Sequence, residues 1–402
     1  MHYLPRDSSF LIGTKKGGIY HSVIGQKKNE DATKQNGFDP VTGNERVSAD
    51  TVDKSMHRWS EASSKEYKTK YPIYSIAAMT LKKSNSPSSS SSYNDETILF
   101  CGSGDRWISV WKVDMTNSND QIQNFENDAP KFEFVQKLGP HTGWVKDLVF
   151  DDRSGLLHSI GCNCIETWDC SRVDTEDDKT TTLPISHTRK RTIENSPTMG
   201  TTLSSDILCL TLITSTNQGG DEAPQLLVSG GVDGRIHLWL SDPTTWKANL
   251  DGQKPLHIAL AHNGRVNSIA HSSAMNLIYT VGNDGLLCTF RVSLDNGFEL
   301  ISKLRIEDDP QKISSRLTVV SITRDLEGQN KCSLVLGSSK GALHFVTSEV
   351  NTEGGIETRV EGDGMTVAEN SMVYSISTEK SSRSIPSCRI WVGHASGLVV
   401  LD

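Results

Sequence analysis

Cys162, Cys164 and Cys170, with His158 just ahead of them, form the densest group of metal-binding residue types in this 402-residue chain. Thiolates and imidazole together suit zinc. Neighbouring residues of a strand point to opposite faces, however, and a structural zinc site gathers closely spaced ligands on a loop knuckle. The cysteines are therefore read as turn and core residues, and no metal or cofactor is expected. GTKKGG (13–18) superficially suits a phosphate, but it lacks the Gly-Lys-Ser/Thr ending and sits where a hairpin turn belongs. GSGDRW (102–107) has two glycines, no third and no following helix, and is a turn as well. Acidic pairs occur at Asp151-Asp152, Asp177-Asp178 and Asp308-Asp309, all in turn-like or insertion segments. No acid/base pair or nucleophile set emerges, so no catalytic residue is assigned.

Composition narrows the classes further. With 41 basic against 49 acidic side chains the net charge is -8, which disfavours a surface built to neutralise nucleic-acid phosphates or anionic lipid. No run of 18 apolar residues is present, and MHYLPRDSS lacks the basic-then-apolar layout of a signal peptide. An intracellular protein without a membrane span is expected, cytoplasmic rather than nuclear. The one tight basic cluster, HTRKR with Arg189, Lys190 and Arg191, would suit nuclear import or an acidic partner, but is read as a solvated loop. Eight cysteines are too sparse for a disulfide scaffold and mostly occupy apolar runs. Ser86-Pro87 and Ser196-Pro197 lie in polar segments open to phosphorylation.

What positions these residues is a repeated unit. ILFCGSGDRWISVWKVD (98–114), LLHSIGCNCIETWDCS (156–171), LLVSGGVDGRIHLWLSD (226–242) and LIYTVGNDGLLCTFRVS (277–293) each read as two short strands around a tight turn. FLIGTKKGGIYHSV (10–23), SLVLGSSKGALHFV (333–346) and RIWVGHASGLVVLD (389–402) are looser copies. The turn residues fall at Gly17, Arg106, Cys164, Gly234, Gly285, Gly341 and Gly397. A strand precedes most hairpins, as at 71–81, 144–150, 207–214, 266–271, 317–323 and 372–377. A fourth follows several, as in KFEFVQKL, PLHIALAH and GFELISKL. Four-stranded sheets with two apolar faces cannot bury themselves, so they must stack, and closing the ring protects their edges. The fold class is all-β: one propeller domain spanning 1–402, with seven four-stranded blades. Polar, disordered insertions are placed at about 24–56, 82–96 and 172–204 on their composition. The inner strand of the first blade and the outer strand of the last are unaccounted for, and MHYLP can supply one of them. The expectation is an incomplete first or last blade, in an open ring or a chain cut short.

The chain resembles the WD-repeat β-propellers. Trp168-Asp169 is the one literal WD dipeptide, Trp111 and Trp239 hold the same place, and His141 (GPHTGWV) and His262 (LAHNGRV) stand where the family has Gly-His. The resemblance implies a hydrogen-bonded His, Ser/Thr, Asp and Trp across each blade. Ser229, Asp233 and Trp239 match three positions of one blade; His262, Thr280 and Asp284 match in the next, where Phe290 replaces Trp. His141, Ser159 and Trp168 match in the third, with Asn163 near the Asp position. Asp105 and Trp111 match in the second, where Cys101 replaces Ser. No blade carries the full set.

The same resemblance implies partner binding at the rim where the chain enters each inner strand. Trp144 and Arg265 occupy equivalent places there, and both are residue types that dominate interface energies. The expected function is a non-catalytic protein-interaction scaffold or adaptor, with other proteins as partners, as in a multiprotein complex. One alternative is a substrate receptor of a cullin-type ubiquitin ligase, whose Arg two residues after WD is Ser171 here, with Arg172 one further on. A second is a propeller hydrolase with a central-channel site.

Overall fold

The computed structural model describes residues 2–4, 9–14, 18–24, 57–61, 69–81, 96–114, 131–170, 185–192, 206–213, 225–242, 254–306, 315–326, 330–378 and 390–401. Their strands form antiparallel sheets in chain order. The first sheet is β1 (His2–Leu4), β2 (Ser9–Gly13), β3 (Ile19–Ile24) and β4 (His57–Glu61). The second is β5 (Ile73–Leu81), β6 (Glu96–Ser103), β7 (Ile108–Asp114) and β8 (Lys131–Leu138). The third is β9 (Val145–Asp151), β10 (Leu156–Gly161), β11 (Cys164–Asp169) and β12 (Ser186–Thr192). Next come β13 (Ile207–Ile213), β14 (Leu226–Gly231), β15 (Arg235–Leu240) and β16 (His257–Leu260). The fifth sheet is β17 (Val266–Ser272), β18 (Leu277–Gly282), β19 (Leu286–Ser293) and β20 (Gly297–Arg305). The sixth is β21 (Leu317–Leu326), β22 (Lys331–Ser338), β23 (Ala342–Val350) and β24 (Ile356–Thr366). The last has three strands, β25 (Val373–Thr378), β26 (Ile390–His394) and β27 (Gly397–Leu401).

This is an all-β propeller with no helix among the described residues. Among the described residues six blades are complete four-stranded sheets rather than the expected seven, and the remaining sheet shows three strands. The N-terminal MHYLP supplies the inner strand of the first blade, pairing with β2, and β1 contacts both β5 and β25 to close the circle of inner strands. Three expectations on detail are corrected. Residues 186–192, placed in a disordered insertion, form β12, the outer strand of the third blade, so the basic cluster is not a solvated loop. The left-handed turn residue of that blade is Cys162 (φ 55°), not Cys164, which already starts β11. Fourth strands also occur where none was read, as β4 and β24. Of the other insertions, placed at about 24–56 and 82–96, residues 25–56 and 82–95 lie outside the described residues, as does Gly17, while Ile24 ends β3 and Glu96 starts β6.

Burial explains the residue pattern. The second strands β10, β14 and β18 are buried at every position, because a blade is covered on both faces by its neighbours. Their sequences, LLHSIG, LLVSGG and LIYTVG, accordingly run apolar without the alternation of a half-exposed strand. The cores lie between blades: Val228, Ile236 and Leu238 of the fourth meet Val266, Ile278 and Phe290 of the fifth, and Tyr279 and Val281 meet Val320 and Leu334 of the sixth. Close approach is required at the end of the second strand. A Cβ on Gly230 would stand 2.6 Å from Val266 Cγ1, and one on Gly337 would stand 2.6 Å from Val373 Cγ1.

Each inner strand from β5 to β25 carries a register shift after its first residue, leaving Tyr74, Lys146, Leu208, Asn267, Thr318 and Tyr374 as the extra residue. Several of these reach the segment leading into the next blade. Tyr74 stacks on Trp144 (centroids 5.8 Å apart), and Lys146 pairs with Asp206 at 3.7 Å. Asn267 Nδ2 donates to Leu317 O at 2.6 Å, and Thr318 Oγ1 donates to Val373 O at 2.6 Å. In these four blades the bulge re-aims one side chain toward the neighbouring blade, on the rim expected to bind partners.

Candidate functional site

The rim of the second and third blades carries an aromatic platform. Trp144 and Tyr71 are each 55% exposed and Tyr74 41%, although large aromatic side chains are normally withdrawn from water. The platform rests on a rigid base. Gly104 N donates to Pro72 O at 2.9 Å, and the absent Cβ of Gly104 leaves room for Tyr71 Cβ and the Tyr74 ring, each 3.4 Å from where it would be. Beside it Trp107 receives the Lys137 ammonium over its ring at 5.8 Å. Burial pushes the Tyr74 hydroxyl above its ordinary pKa.

Arg265 is exposed at the corresponding place in the fifth blade. Blade four stands between it and Trp144, so the two share a rim and not a patch. Tyr71 and Tyr74 went unread in the sequence; their signal was an aromatic-rich YPIY immediately ahead of an inner strand. The Ser171 and Arg172 of the ligase-type motif lie outside the described residues.

The residues assigned to hydrogen-bonded chains fall as follows. In the fifth blade His262 bridges Thr280 Oγ1 (2.9 Å, through Nε2) and Asp284 Oδ1 (2.9 Å, through Nδ1). Asp284 also accepts from the Asn263 and Leu286 amides; burial pushes its pKa up, but these bonds with that of His262 outweigh it and hold the carboxyl below its ordinary value. In the third blade Trp168 Nε1 donates to Ser159 Oγ at 2.9 Å, and Ser159 Oγ meets His141 Nε2 at 3.0 Å. The acid facing His141 Nδ1 is the strand residue Glu166, at 3.5 Å, rather than turn residue Asn163.

In the fourth blade Trp239 Nε1 donates to Ser229 Oγ at 3.0 Å, while Asp233 accepts from the Arg235 amide and so serves its own turn. In the second, Trp111 Nε1 donates to Ser109 Oγ at 2.9 Å, two residues away on its own strand, which compensates for Cys101 in place of Ser. Asp105 accepts from the Trp107 amide. Removing the indole donor from a buried serine costs about 1–3 kcal/mol. Trp239→Phe is accordingly expected to lower the thermal midpoint by several degrees; an unchanged melting curve would show that this bond contributes nothing.

The cysteine and histidine group weighed as a metal cluster is dispersed. Cys170 joins the apolar core with Leu157 and Trp168, and burial pushes its thiol up to about 12. Cys162 occupies the turn. His158 turns away into a buried polar network: its Nε2 meets Ser241 Oγ at 2.9 Å, Ser241 donates to Asp151 Oδ2 at 2.9 Å, and its Nδ1 faces Thr167 Oγ1 at 3.1 Å. Arg191, read in a basic cluster, is 2% exposed and completes this network. Its NH1 donates to Leu240 O at 2.5 Å, its NH2 to Thr167 Oγ1 at 3.0 Å, and its guanidinium lies 5.9 Å from the Trp239 ring centroid. Arg191 pins the third blade to the fourth. Of the four residues weighed as a metal cluster and read as turn and core, Cys164 alone among the described residues stands near other ligand types, His141 and Glu166.

Asp147 is an inner-strand carboxylate that sequence reasoning passed over. It accepts from Ser75 Oγ and the Leu148 amide at 2.9 Å and from the Leu210 amide at 2.9 Å, tying three blades together. Burial pushes its pKa up. Of the acidic pairs, Asp151 ends β9 and caps the following turn through Arg153 N and Ser154; the pairs at 177–178 and 308–309 lie outside the described residues.

Fold and rim together define a β-propeller with an aromatic surface where the chain enters its second and third blades. No protein-family model and no curated protein matches the chain, so the WD-repeat resemblance rests on the residues named above.

Proposed function

We propose that the protein is a non-catalytic interaction scaffold that binds another protein through the rim of its second and third blades. The observation that carries this reading is the exposed stack of Tyr74 on Trp144 beside Tyr71. Rigid aromatic side chains give large contact area at small entropic cost, and residues of this type account for most of the binding energy of protein interfaces. WD-repeat membership, which the matching His, Ser/Thr, Asp and Trp positions support, agrees with partner binding on this rim. One inner-strand carboxylate that a hydrolase could use, Asp147, is engaged otherwise here: it accepts from Ser75 and Leu210 in the two flanking blades and from the Leu148 amide of its own strand.

Quantitative affinity purification of wild type against Trp144→Ala and Tyr74→Ala tests the reading. A partner held by the platform should bind the variants about 2 kcal/mol or more weakly, roughly thirty-fold. Arg265→Ala, two blades away, should have a smaller effect. Identical partner recovery from all four proteins would count against the rim.

A further inference from the structure

In the third blade a thiol, Cys164, stands beside the His141 and Glu166 members of the hydrogen-bonded chain. His141 Nδ1, Cys164 Sγ and a Glu166 carboxylate oxygen all lie within 4.8 Å of one another, and all three residues are buried. Nδ1 stands 3.5 Å from Glu166 Oε1, and Sγ 3.9 Å from the same oxygen. The fifth blade is an internal comparison. There the corresponding Nδ1 meets its carboxylate at 2.9 Å, and two backbone amides complete the acid. In the third blade the acid comes from a strand instead of a turn, stands farther off, and has a thiol beside it.

We propose that His141, Cys164 and Glu166 form a binding site for a divalent cation of borderline softness, Zn2+ above all. Ligands at ~2.0–2.3 Å in a tetrahedron stand roughly 3.3–3.8 Å from one another, against the 3.5 Å and 3.9 Å that separate Glu166 Oε1 from His141 Nδ1 and from Cys164 Sγ. The proton arrangement suits it. Ser159 Oγ lies 3.2 Å from Glu166 O and 3.0 Å from His141 Nε2; the metal-binding tautomer is the one in which the serine gives its proton to that carbonyl and accepts from both Trp168 Nε1 and His141 Nε2. His141 Nδ1 then carries the lone pair a metal needs, and Ser159 fixes the ring from behind, as ligating histidines require. His187 Nε2, 3.5 Å from Glu166 Oε2, steadies the carboxylate from the outer strand. Thr142 Oγ1 lies 3.5 Å from Cys164 Sγ on an exposed residue, which offers a route from solvent and a place for a fourth oxygen donor. On binding, the Cys164 thiol loses its proton to solvent and ligates as thiolate. The site would tie β11 to the segment ahead of β9.

Co2+ added to metal-free protein is the probe. One equivalent should bind with visible bands of a tetrahedral ligand field and a thiolate-to-cobalt charge-transfer band, and Zn2+ should displace it. Cys164→Ser should abolish the charge-transfer band, whereas Cys162→Ser should leave it. Should Cys164→Ser fail to fold, X-ray absorption on Zn2+-loaded wild type decides: one sulfur near 2.3 Å with nitrogen or oxygen near 2.0–2.1 Å is expected. Absence of stoichiometric binding to wild type, a charge-transfer band that survives Cys164→Ser, or a zinc shell without sulfur overturns the proposal.

Discussion

Arg191→Ala should destabilise the protein by about 3–5 kcal/mol, the range for removing one partner from a buried charged network. The guanidinium is 2% exposed and donates to Leu240 O in the fourth blade and Thr167 Oγ1 in the third. Truncation leaves the carbonyl without that donor and opens a hole against Trp239, each a separate cost. Arg191→Met keeps much of the stem packing and should lose about half as much. Arg191→Lys retains charge but offers a single ammonium where two nitrogens of a planar fork serve two acceptors, and should fall between them. Urea unfolding measures the series. A loss below about 1 kcal/mol for Arg191→Ala would mean that the outer strand of the third blade is not docked as described.

Acid should unfold the protein steeply before its carboxylates titrate. Burial holds His158 well below the ordinary imidazole pKa of 6.5, aided by the neighbouring Arg191 charge. Burial also lowers His237 to about 4, against the pull of Asp233, and His271 to about 4, against that of Asp325. For each, the folded state binds its proton less readily than the unfolded chain. Their contribution is therefore complete above pH 6.5 and is lost as pH falls from there toward the lowered folded values, which are near 4 for His237 and His271. With three such groups the unfolding free energy should drop by about 3 kcal/mol per pH unit between pH 6 and 5. Asp147, raised by burial, acts in the opposite sense and only nearer its own range. His158→Gln keeps a donor toward Ser241 and should flatten the slope by roughly a third. A melting temperature that does not change from pH 7 to 5 would contradict the buried neutral imidazoles.

The repeat was legible because buried second strands and their turns leave a local signature. LLVSGGVDGRIHLWL names two strands and a turn by itself, and KFEFVQKL coincides with β8. Outer strands were harder to read. β24, in IETRVEGDGMT, is exposed nearly throughout, so no apolar run marks it. β12 reads as a loop in sequence because its SHTRKRT has the composition of one, although Arg191 within it is buried in a network whose other members are 24 to 49 residues away in sequence. The same distance hid the rim. Trp144 was found from its place ahead of an inner strand, but its stacking on Tyr74 depends on a bulge in a neighbouring blade. Glu166 replaces the turn acid opposite His141 from two residues into a strand, which a motif tied to turn position cannot anticipate.

The central claim, that this propeller binds a protein partner on the rim of its second and third blades, is tested most directly by a hydrogen-exchange footprint of the isolated complex. Partner binding should slow amide exchange and protect surface at 69–74, 104–107 and 142–147. The exposed outer strand β24 with Val360 should be unchanged. Protection confined to β24 or to the other blades, with the Tyr74 and Trp144 segments exchanging as in the free protein, would contradict it.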